Sequence, residues 1–156
     1  MEILLSKPVL IGIHLPFAII GIDSLLWLLG EFVADTQSRA RRVGVATLGV
    51  AGFTASWITG GYYYVKFYGS LVKPAILNGS APWAHTIVME AKEHIFLFII
   101  PLALVVLTLA LLDQATLKVL KLKTRAVLLC ALVPIIGLVI GMMGFIISAA
   151  ARWGVT

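Results

Sequence analysis

Residues 89–112 read MEAKEHIFLFIIPLALVVLTLALL, and from Ile95 to Leu112 no residue carries a charge. A helix needs about 20 apolar residues to cross a hydrocarbon layer about 30 Å thick, so this stretch is long enough to span a membrane. Three more such stretches lie around it. The expected spans run over about 8–30, 43–64, 86–112 and 126–151. With 61% hydrophobic and 12% charged residues, the chain lies far from the soluble norm of roughly 25% charged. The expectation is an all-α, four-helix transmembrane bundle forming one integral membrane domain over 1–156. Its loops leave no room for a separate soluble domain.

Charge gives the direction. Arg39, Arg41 and Arg42 lie in the first loop, and Lys118, Lys121, Lys123 and Arg125 in the third. Basic residues near span ends favour the cytoplasm, so both termini and the 65–83 loop are expected on the outer side. The aromatic run GGYYY at 60–64, with Trp83 and Trp153, falls where an outer aromatic belt would anchor. The net charge of +5 resides in these short loops, where topology and anionic lipid explain it, and no nucleic-acid role follows. The expected location is a multi-pass position in a bacterial or archaeal inner membrane. Cys130 is the lone cysteine, which excludes intramolecular disulfides, cysteine-ligated iron–sulfur clusters and CxxCH haem attachment.

Small residues recur at steps of three or four: Gly49, Gly52, Ser56 and Thr59 on the second span, and Gly137, Gly141, Gly144 and Ser148 on the fourth. Such stripes let helices approach closely where lipid offers no hydrophobic drive, and they also make room for a flat cofactor. Pro16, Pro101 and Pro134 interrupt three spans and predict kinks. Asp23, about 12 Å inside the membrane by helical rise, is the deepest charge. It is expected either as a neutral acid hydrogen-bonded to Ser24 or Thr54, or as a proton relay or subunit contact.

Two glutamates, a lysine and a histidine crowd the outer mouth of the third span. Counted from the inner boundary, His94 lies about 28 Å and His14 about 25 Å along their helices, so the two histidines reach matching heights. Glu90 and His94, four apart, share a helical face. Three readings of this face stand open. Glu90 is a solvated cap paired with His94, Lys92 or Lys66. Alternatively His14 and His94 ligate one b-type haem, with Glu90 as a nearby acid for a propionate network or a quinol proton. In the third reading Glu90, His94 and His14 or His85 hold a non-haem metal.

The four spans with His14 and His94 resemble the small four-helix membrane cytochromes of b type, including the membrane anchors of respiratory complexes. These hold haem through one histidine on each of two helices. The resemblance implies a haem b bound by His14 and His94 beside Glu90, electron transfer near the outer face, quinol as a partner, and contact with other membrane subunits or a homo-oligomer. Such families often carry two haems. This chain departs from that pattern, because no histidine lies in its expected cytoplasmic half and His85 is placed at or beyond the outer surface. One bis-histidine haem is the most it allows. A cofactor-free accessory or scaffold subunit is the alternative, and a proton or metal transporter using Asp23 and Glu90 is a third. Hydrolytic or group-transfer catalysis finds no support, since no Ser/His/Asp set converges at one depth and no phosphate loop is present.

Overall fold

A computed structural model describes residues 5–153, so the first and last few residues of the expected 1–156 domain lie outside it. Four helices are long and apolar enough to span a membrane: α1 (Lys7–Val33), α2 (Arg39–Leu77), α3 (Ala84–Ala110) and, after the short α4 (Gln114–Val119), α5 (Lys123–Trp153). No strand occurs among the described residues. The helices alternate in direction, so α1 starts and α5 finishes at one end of the bundle, here the terminal end. The basic loops form the other. Both α1 and α3 pack against α2 and α5, which puts α1 and α3 on opposite corners.

The basic end is built from local turn chemistry. After α1, Asp35 adopts a left-handed conformation (φ 53°); its N–H donates to Phe32 O and that of Thr36 to Glu31 O. After α4 the pattern repeats at Lys121 (φ 54°), with Lys121 N–H donating to Lys118 O and Leu122 N–H to Leu117 O. These paired bonds satisfy carbonyls that a helix end would otherwise leave bare. Helices α2 and α4 start on side-chain caps, as Ser38 Oγ accepts from Arg41 N at 3.3 Å and Asp113 Oδ1 from Thr116 N at 2.6 Å. Arg42, fully buried, then crosses between the loops. It donates to Thr36 O at 2.5 Å and to Leu112 O at 2.9 Å, and its guanidinium lies 5.9 Å from the Phe32 ring centre. Gln114 Nε2 donates to the same Thr36 carbonyl at 3.2 Å.

Lys123 Nζ sits 2.7 Å from Asp35 Oδ2, and that hydrogen bond holds the Asp35 carboxyl below its usual range. Asp113 is held low by the backbone N–H of Thr116. A carboxyl whose folded value is depressed binds fewer protons than in the unfolded chain. Its contribution is therefore present above the unfolded value of about 4 and lost as pH falls through the folded one. Plotted between pH 3 and 6, the unfolding midpoint should fall toward acid, and Asp35→Asn with Asp113→Asn should flatten that limb. A limb of unchanged steepness in the double variant would assign it to other groups.

The second span is longer than expected. Residues 65–77, read from sequence as loop, continue α2 as a π-helical stretch (Tyr64–Val72) and a final α-helical turn (Lys73–Leu77). The start of α3 is also π-helical (Ala84–Met89). Farther along, α3 breaks at Leu97–Phe98, ahead of Pro101, whose ring cannot accept the helical geometry of the carbonyl four residues back. The kink expected at Pro101 is present, and Pro16 and Pro134 lie inside unbroken helices.

Candidate functional site

The apolar core is divided. One buried cluster, from Ile22 and Phe53 to Phe32 and Leu117, fills the middle and basic end. A smaller one, including Tyr68, Ile76, Met89 and Ile147, fills the terminal end. Each helix supplies a small or polar residue to the layer between them: His14 from α1, Ser56 and Gly60 from α2, Lys92 from α3 and Gly144 from α5. His14 Nδ1 lies 2.9 Å from Ser56 O and 2.8 Å from Ser56 Oγ, while Ser56 Oγ donates to His14 O at 3.1 Å. A carbonyl only accepts, so Nδ1 carries a proton, which in a neutral imidazole leaves the lone pair on Nε2. The ring fits because residue 60 has no side chain: a Cβ there would sit 2.7 Å from Nδ1. Lys92 points inward on α3, its Nζ 3.6 Å from where a Gly144 Cβ would lie and within electrostatic reach of His14.

His94 takes the opposite side of α3. It is exposed, and its Nδ1 donates to Glu90 O, one turn back, at 2.6 Å. Glu90 is exposed on the same face, in a strip that continues through Ile87, Leu97, Pro101 and Leu104. His14 and His94 therefore both turn Nδ1 to a carbonyl, and their heights agree to about one turn, sixteen residues before Ala110 placing His94 about 24 Å along its span and nineteen before Val33 placing His14 about 28 Å along its own. They do not share a face. The ring of His14 lies in the α1–α2 seam, and the residue α3 turns inward at that level is Lys92.

Sequence reasoning named His85 as a possible ligand but misplaced it. Expected at or beyond the surface, it is buried, because the π-helical starts and ends of α3 and α2 rotate His85 and Tyr68 toward each other. The Tyr68 hydroxyl meets His85 Nδ1 at 2.9 Å, and His85 Nε2 lies 3.8 Å from Glu90 Oε1. The second distance is too long for a hydrogen bond and short enough for an ion pair. Tyr64 stacks on Tyr68 with ring centres 5.1 Å apart. Extra residues in a helical turn are rare and concentrate at functional sites. No local signal in PWAHTIVME marks the π turn, since side-chain pattern does not encode an added backbone residue.

For Asp23 the hydrogen-bonded alternative is not the one formed. It is exposed on the outside of the bundle and makes no hydrogen bond to Ser24, which is buried on the other side of α1, or to Thr54. Among the described residues no three His, Cys, Asp or Glu side chains are gathered to hold a metal ion, so the Glu90–His94 metal site with a third ligand from His14 or His85 is not assembled. The chain matches no protein-family model, no curated protein and no solved structure.

Proposed function

We propose that this protein is a membrane subunit, with its terminal end facing outward, that binds a quinol-class carrier in the outer leaflet and accepts its proton. The observation behind this reading is the chain Tyr68–His85–Glu90, which opens onto the exposed face that Glu90 shares with His94. The face is open to the bilayer, so a lipid-dissolved carrier approaches sideways. Its hydroxyl donates to the bare Nε2 of His94, and Glu90, with its side chain 51% exposed, is the base for the departing proton. Closing the 3.8 Å gap to His85 would let the proton pass inward to a ring already bonded to Tyr68. Oxidation to the quinone releases two protons and two electrons: the first proton goes to Glu90, the second to His94 Nε2, and the electrons would leave one at a time, in two turnovers, to a one-electron acceptor of the haem class on a partner subunit.

The test is saturable binding of a short-tailed benzoquinol to the purified protein. His94→Ala and Glu90→Gln should each weaken it about tenfold, the worth of one good hydrogen bond, while His14→Ala should not. Binding that ignores both Glu90 and His94 would sink the reading. Absence of binding would leave a cofactor-free accessory or scaffold subunit.

Haem b on His14 and His94 is the second reading, favoured by one observation. Both rings spend Nδ1–H on a backbone carbonyl and keep Nε2 free, the arrangement by which proteins orient imidazole ligands. The donor chemistry fits haem and the placement on different faces of the bundle does not, so no step is built on a haem between them. An optical spectrum decides. Low-spin bands lost in both His14→Ala and His94→Ala carry this reading, and colourless protein from haem-supplied cells removes it.

A further inference from the structure

We propose that the outward face of α1 is the contact surface between two copies of this chain, centred on Asp23. A strip of exposed residues runs the length of the helix at steps of four and three: Gly12, Pro16, Ile19, Asp23, Leu26 and Gly30. A Cβ placed at Gly12 or Gly30 would meet nothing within 4 Å, so the strip is open near both ends to a close-packed neighbour. At its centre stands a carboxyl ten residues from Val33, about 15 Å into the span, with neither a hydrogen bond nor an ion pair from the described residues of its own chain.

A carboxyl at that depth cannot stay bare in hydrocarbon. A carboxylic acid group carries one donor and one acceptor. The complement of a neutral carboxyl is a second carboxyl, since two of them close a pair of reciprocal hydrogen bonds. Copies of one chain insert in the same direction, so each necessarily presents Asp23 at the depth of the other. A two-fold axis along the membrane normal then brings the strips together residue upon residue. A single polar group inside an otherwise apolar helical seam also fixes the register of the pair.

The test uses full-length protein in its native bilayer. Cys130 is buried, so an engineered cysteine on the surface reports alone. Leu26→Cys should cross-link to a dimer with a short bis-maleimide, whereas Leu138→Cys, on the exposed face of α5, should not. Adding Asp23→Leu should lower the Leu26→Cys yield at least tenfold, and Asp23→Asn, whose amide also self-pairs, should restore most of it. Equal yields from positions 26 and 138, or a yield indifferent to Asp23→Leu, overturn the proposal. So does cross-linking of position 26 to a different membrane protein in place of a second copy.

Discussion

Replacing Arg42 by alanine should lower stability by about 3 kcal/mol or more, a larger loss than any single surface ion pair here would give. The guanidinium is fully buried and bonds two carbonyls, Thr36 O at the end of α1 and Leu112 O just past α3. Both lie two or three residues beyond helix C-termini, where the backbone dipoles favour a cation. Without it the Leu112 carbonyl loses its side-chain donor, Thr36 O keeps only Gln114, and a void opens over Phe32. Each buried unpaired group costs about 1–3 kcal/mol, and the cavity adds to that. Arg42→Lys should recover only part, because an ammonium on a single stem cannot bond both carbonyls in one plane. Unfolding midpoints in mild detergent check this. A lysine variant as stable as the parent would show that charge at the helix ends, and not the forked geometry, holds the basic end together.

The second large effect is expected at Gly52. A Cβ there would lie 2.7 Å from Gly21 N and 2.9 Å from Phe17 O, which are backbone atoms of α1 and cannot swing aside. Gly52→Ala must push α1 and α2 apart along a seam that also holds the His14–Ser56 bonds, at a cost in the 1–3 kcal/mol range of overpacked cores. Gly52→Leu should prevent a folded bundle from accumulating. Gly141, from the other small-residue stripe, has nothing within 4 Å of its Cβ position. Gly141→Ala should therefore be neutral or gain up to about 1 kcal/mol of helix propensity. Measured side by side, equal losses at 52 and 141 would contradict the packing described above.

That contrast marks how far the amino-acid sequence reaches. Length and uninterrupted hydrophobicity determined four spans and an all-helical class, because a bilayer demands about 20 apolar residues with every backbone group bonded internally. The sequence also marked a break near Pro101 and counted His14 and His94 to matching heights, since helical rise is fixed per residue. Facing was another matter. In a soluble bundle polar residues mark the outside of each helix, but in lipid both faces are apolar and that period vanishes. Only the packed bundle decided that Gly52 is a contact and Gly141 is open, that Asp23 points away from Ser24, and that Lys92 instead of His94 turns inward. Likewise, His85 became buried through π-helical turns at Tyr64–Val72 and Ala84–Met89, each carrying extra backbone per turn. Rotation about a helix axis depends on what the neighbouring helices present, and that information is distributed over four spans.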